Sequence, residues 1–144
     1  MTRFSGTGWK TEAVDFPSVL ALGNGGSDVA TLAGSDQPDW FWASPVSATL
    51  IGGSRSLTAN LFADVRFTGT GEDTVALVDR LGSDHLLLDR THAVLSGSSY
   101  RIETTGMSRL RATSALDLPP DTLHIADSTL DYTFERFGDW VDAG

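Results

Sequence analysis

Phe4-Ser5-Gly6, Leu50-Ile51-Gly52 and Leu95-Ser96-Gly97 are one short phrase written three times. Each opens a stretch of about 45 residues, and the stretches 4–49, 50–94 and 95–140 carry matching residue types throughout. After the opening comes an apolar triplet of fixed rhythm: Phe16, Val19, Ala21; Phe62, Val65, Phe67; Met107, Leu110, Ala112. A turn-rich connection follows, Leu22 to Ser27, Thr68 to Glu72 and Thr113 to Pro120, and each ends on an aspartate: Asp28, Asp73, Asp121. A short alternating segment is next, with Ala30/Leu32, Val75/Leu77 and Leu123/Ile125 on one side and Thr31, Ala76 and His124 on the other. Period-two alternation marks a half-buried strand. A second aspartate, Asp39, Asp84 or Asp131, then leads into Trp40-Phe41-Trp42, His85-Leu86-Leu87 or Tyr132-Thr133-Phe134. Copies two and three share a further aspartate, Asp79 and Asp127, where copy one has Gly34.

The rest of the composition bounds the class. At 144 residues the chain is a single repeat domain, 1–144, large enough to bury roughly 70% of its unfolded surface. No segment carries a 3.6-residue apolar stripe, and glycine, serine and threonine are frequent, so the chain reads as all-β with under about a tenth helix. No apolar run is long enough for a membrane-spanning helix, and no signal-peptide hydrophobic region opens the chain. There is no cysteine. The net charge of −9 argues against a nucleic-acid partner and permits a divalent cation.

A period of this length denotes stacked or pseudo-symmetric repeats. The favoured architecture is a right-handed parallel β-solenoid of three units, in which Leu32–Leu77–Ile125 and Trp42–Leu87–Phe134 form interior ladders and Phe16, Phe62 and Met107 share one buried place. The alternative is a β-trefoil, which explains why there are three copies. Three units are too few for a propeller.

The phrases Gly71-Glu72-Asp73-Thr74-Val75-Ala76-Leu77, Gly25-Gly26-Ser27-Asp28-Val29-Ala30-Thr31-Leu32 and Gly82-Ser83-Asp84-His85-Leu86-Leu87, with Leu95-Ser96-Gly97-Ser98-Ser99-Tyr100, resemble the tandem Asp/Gly-rich repeats of very large bacterial cell-surface proteins. They are more distantly similar to haemolysin-type calcium-binding β-rolls. The chain departs from the β-roll pattern, because Gly-Gly-x-Gly-x-Asp is never complete. The resemblance implies a scaffold or adhesive role, outside the cell or on its surface as part of a longer chain; the absence of cysteine is equally compatible with a cytoplasmic location.

Chemistry-bearing residues are few. His85, His92 and His124 lack metal-ligand spacing, and His85 fills a slot held by Trp40 and Tyr132 in the other copies, which marks a stacking position. The aspartates recur with the repeat, so they serve the fold before they serve catalysis, capping turns through backbone amides. Asp73, Asp79 and Asp84 are the candidate metal ligands. Copies of one aspartate in successive two-coil units lie roughly 9–10 Å apart, beyond one ion, so at most weak calcium binding is expected and folding without the ion. A single lysine, Lys10, and Gly-x-Gly pairs without a GxGxxG spacing leave neither a lysine-based active site nor a phosphate loop.

Trp40 and Trp42 are the candidate ligand-binding residues, as an exposed aromatic platform for a glycan or a protein. The expected function is a non-catalytic structural or adhesive repeat module, with flanking repeats or cell-surface components as partners. The alternatives are a carbohydrate-binding module and a fragment of a β-helical polysaccharide-degrading enzyme.

Overall fold

A computed structural model of the chain describes residues 1–116 and 118–144; Asp117, in the third turn-rich connection, lies outside the described residues. The protein is all-β: 59% of the described residues are in strands and none is in a helix, so none crosses a membrane as a helix. The strands are β1 (Thr2–Gly6), β2 (Trp9–Ala13), β3 (Ser18–Leu22), β4 (Val29–Ala33), β5 (Trp40–Ala43), β6 (Ser47–Gly52), β7 (Arg55–Asn60), β8 (Asp64–Val78), β9 (His85–Leu88), β10 (His92–Ser96), β11 (Arg101–Thr113), β12 (Thr122–Ile125), β13 (Thr133–Phe137) and β14 (Val141–Asp142).

They build a β-solenoid of about three turns. Its two faces are joined where the long strands β8 and β11 cross from one to the other. The first face runs β2-β1-β4-β8-β11-β10-β9-β12-β14, using the N-terminal halves of β8 and β11. The second runs β3-β7-β6-β5-β8-β11-β13, using their C-terminal halves. The crossing falls at glycine: a Cβ on Gly69 would lie 2.4 Å from the Gly106 carbonyl oxygen, and one on Gly106 would lie 2.3 Å from that of Gly69. Stacked corners this close tolerate only glycine.

Each 45-residue copy supplies five strand segments, and neighbouring copies share them. The first two form an antiparallel hairpin: β1–β2, β6–β7, and β10 with the start of β11. The others, β13 excepted, pair in parallel with segments of the adjacent copy, as β4 does with β8, and β8 with β11. The parallel rungs rule out the trefoil, whose threefold barrel has no such stacking. Successive copies alternate faces, so equivalent residues such as Leu32 and Leu77 line the core from opposite sides.

Register explains the core. On the first face Phe4, Ala30, Val65, Ile102, Leu95, Leu86 and Leu123 form one continuous buried row. On the second face Leu57, Leu50, Phe41, Val75 and Leu110 form its counterpart. Phe41 and Phe67 stack across the two faces with ring centroids 4.6 Å apart.

Three expected burials fail. Ile125 is 47% exposed and Phe16 59%, although Leu77, Phe62 and Met107 at equivalent places are buried. Both exceptions sit in end rungs, where no further copy covers them. The ladder Trp42–Leu87–Phe134 holds only at Phe134, which pairs with Leu110 and packs on the core; Phe41 and Leu86 point inward, which turns Trp42 and Leu87 out. A one-residue slip in register exchanges the two sides of a strand.

Candidate functional site

The strand-entrance aspartates are buried and bonded to backbone amides. Asp28 accepts from the Asn24 amide at 2.9 Å, Asp73 from Thr70 at 2.7 Å and Asp84 from Arg80 at 3.3 Å, while Asp39 accepts from both the amide and hydroxyl of Ser35. Each thereby closes the turn that precedes its strand. The opening phrases now acquire a reason. Gly6 packs on Asp28, Gly52 on Asp39 and Gly97 on Asp84, so closely that a Cβ would fall 2.2, 1.4 and 2.3 Å from a carboxylate oxygen. The apolar residue two places earlier, Phe4, Leu50 or Leu95, points into the core.

Aspartates also link copies. The Asp39 amide donates to Asp73 Oδ1 at 2.7 Å, and the Asp84 amide donates to Asp121 Oδ1 at 2.8 Å. The second aspartate of one copy is thus tied to the first aspartate of the next.

The second of these junctions carries an extra carboxylate. Asp79, Asp84 and Asp121, all buried, present oxygens that lie within 4.8 Å of one another. Asp79 Oδ1 accepts from the Ala115 amide at 2.6 Å, while Asp79 Oδ2 and Asp121 Oδ2 meet no donor beyond a proton that the two carboxyls can share. Burial pushes the Asp79 carboxyl up to about 8; a hydrogen bond with the Asp121 carboxyl and the charges of Asp121 and Asp84 add to this, and the Ala115 amide opposes it. Burial raises the Tyr100 hydroxyl as well, and the nearby Asp84 raises it further.

Of the expected metal ligands, the structure therefore brings Asp79 and Asp84 together and adds Asp121. Asp73 stands in the preceding junction, where Gly34 holds the place of Asp79: a Cβ there would be 3.1 Å from both Asp39 and Asp73 oxygens. The sequence shows Asp121 as a repeat aspartate, but its partnership with Asp84 follows from strands shared between copies. The estimate of 9–10 Å between successive aspartates does not apply here, because the trio mixes three different positions of the repeat.

Trp40 and Trp42 occupy the outer side of β5, with Trp40 43% exposed and Trp42 half-buried. Ile51 pairs with Trp40 from β6 and is exposed beside it. On the same outer side, two strands away, run Arg109 and Arg111, the latter paired with Glu135 at 3.1 Å. His85 and His124 are exposed; His85 meets the Thr122 hydroxyl and His124 the Ala143 carbonyl. His92 lies 3.3 Å from Asp89.

Comparison with protein-family models, with curated proteins and with solved structures finds no match. The site's own chemistry is what remains. Buried carboxylates held by backbone amides can fix turns, hold a proton between them or ligate a hard cation. The outer face of β5 can offer a flat aromatic surface.

Proposed function

We propose that the chain is a structural repeat module of a larger bacterial surface or secreted protein, joined end to end with copies like itself. The observation that carries this reading is the sharing of strands. In copies two and three, the last strand of the preceding copy lies between the copy's own first and fourth segments: β5 between β6 and β8, and β9 between β10 and β12. In copy one no strand holds that place, and β1 pairs directly with β4. At the far end β13, the last strand of copy three, lies against β11 instead of completing another copy. The end rungs also expose Phe16, Leu20, Leu22, Ile125 and Val141. Solenoids need polar caps where stacking stops, and apolar end rungs suit further stacking.

The test is a chain in which residues 50–94 are duplicated between 94 and 95. The module reading expects a folded four-copy protein whose urea m-value rises by about a third, in proportion to its added surface. An insertion that abolishes cooperative unfolding would sink it.

A second reading, a carbohydrate-binding surface, rests on Trp40 and Trp42 standing two residues apart on one outer face, roughly 7 Å along the strand. Such spacing suits consecutive sugar rings, and an adhesive module would combine both roles. Tryptophan fluorescence that stays unchanged across a panel of bacterial and host glycans would remove it. The polysaccharide-degrading reading has the least support, since the clustered carboxylates are buried inside the fold.

A further inference from the structure

The buried side-chain atoms without a well-formed hydrogen bond among the described residues are Asp79 Oδ2, Asp121 Oδ2, the Tyr100 hydroxyl and Trp140 Nε1. The first three gather in one region. Asp79 and Asp121 belong to the carboxylate trio. Tyr100 lies over Gly97, which itself covers Asp84, and its hydroxyl feels the charges of all three aspartates. Trp140, also buried, stands beside Asp121 in the next rung: the Val141 amide that follows it donates to the Asp121 carbonyl at 2.8 Å. Native interiors leave few polar atoms unpaired, and a cluster of them marks the place of an ion or ordered water.

The junction one turn earlier shows that the fold does not need this trio. There Gly34 brings no side chain, and both oxygens of Asp73 are taken by the amides of Asp39 and Thr70. The later junction keeps the same interstrand bond from Asp84 to Asp121 but adds Asp79 and leaves two oxygens open. Three carboxylates buried together repel, and a single proton neutralises only one of them. A divalent cation satisfies all three. Oxygens within 4.8 Å of one another match a common centre at calcium's 2.3–2.6 Å, whose opposite ligands lie roughly 4.6–5.2 Å apart. A cavity of about 240 Å³ bounded by Arg80, Gly82, Asp84, Ser99 and Tyr100 opens beside the trio and admits water to complete the shell.

We propose that Asp79, Asp84 and Asp121 bind one calcium-sized divalent cation, with the Tyr100 hydroxyl and water as further oxygen ligands. The ion would pin the junction between copies two and three. This stands apart from the module reading, since it concerns a site within the chain.

The test uses the full chain stripped with EDTA and titrated with terbium, whose luminescence is sensitised by nearby Trp140 and Tyr100. The expected result is saturation at one ion per chain and displacement by calcium. Asp79→Asn weakens binding by about tenfold or more, the cost of removing one anionic ligand, while Asp39→Asn, in the other junction, leaves it unchanged. Millimolar calcium raises the melting temperature of the unmodified chain by about 5 °C or more, and that arm needs no variant. Terbium binding indifferent to Asp79→Asn, or a melting temperature indifferent to calcium, would overturn the proposal and leave the trio holding a shared proton.

Discussion

The amide of Asp84 donates to the carboxylate of Asp121 at 2.8 Å, across a separation of 37 residues in the chain. It repeats the bond from Asp39 to Asp73, 34 residues apart. Both bonds join a fifth strand to the fourth segment of the next copy, so the aspartates act as rivets between copies as well as caps within them. Four consequences can be measured.

Asp73→Ala removes the acceptor of two amides, those of Asp39 and Thr70, at a fully buried position. Each buried donor left unpaired costs about 1–3 kcal/mol, so the expected loss is about 2–5 kcal/mol. Urea denaturation measures it; a loss under about 0.5 kcal/mol, the range of a neutral surface change, would deny the riveting role.

Gly52→Ala pushes a methyl group into the Asp39 carboxylate, since the added Cβ would lie 1.4 Å from Oδ1. Overpacking of this kind costs about 1–3 kcal/mol or more. Gly53→Ala meets open space and carries only the cost of its positive φ of 57°, about 1 kcal/mol. Thermal unfolding should rank the two clearly, and equal losses would show that the close approach is unimportant.

The core rows set a third contrast. Leu77 is fully buried, and Leu77→Ala is expected to cost about 2–5 kcal/mol. Ile125 stands in the equivalent strand but at the solenoid's end, half exposed. Ile125→Ala is expected to cost about 1 kcal/mol or less, because little apolar area leaves the core. The same denaturation curves decide between this reading and one in which the three copies carry equal load.

The fourth prediction concerns pH in the absence of divalent ions. Asp79 has a folded pKa raised from 3.8 to about 8 by burial and by its neighbours Asp121 and Asp84. The folded state then holds a proton that the unfolded state has released. Its contribution to stability is complete below the unfolded value and is lost as pH rises through that interval to about 8. In EDTA the melting temperature should therefore fall across this range, and Asp79→Asn should flatten the slope and be the more stable protein at pH 8. A parent profile already flat between pH 5 and 8 would refute the shift.

Much of this molecule was legible in its residues. Period-two alternation and the absence of any helical stripe dictate β structure. The recurrence of Leu50-Ile51-Gly52 at Leu95-Ser96-Gly97 dictates a repeat, because the same local energetics operate in each copy, while the choice of stacking over a threefold barrel rests on the parallel strand pairing. Capping by aspartate could also be read, since a short carboxylate beside a glycine-rich turn has amides within reach. The inward parity of Trp40-Phe41-Trp42 could not: a strand apolar on both sides carries no mark of which side faces in.

What tertiary structure alone decided is which copy touches which. A repeat gives equivalent residues the same local conformation, but their partners depend on how strands are exchanged, and that depends on long-range pairing. So Leu77 and Ile125 share a place in the repeat and differ in burial, because one has neighbours on both sides and the other ends the stack. Asp73 and Asp121 likewise share a place, yet only Asp121 meets a third carboxylate, since Gly34 offers no side chain where Asp79 does. Local physics set the strands and the turns. The junctions, where burial and charge accumulate, exist only once the copies are stacked.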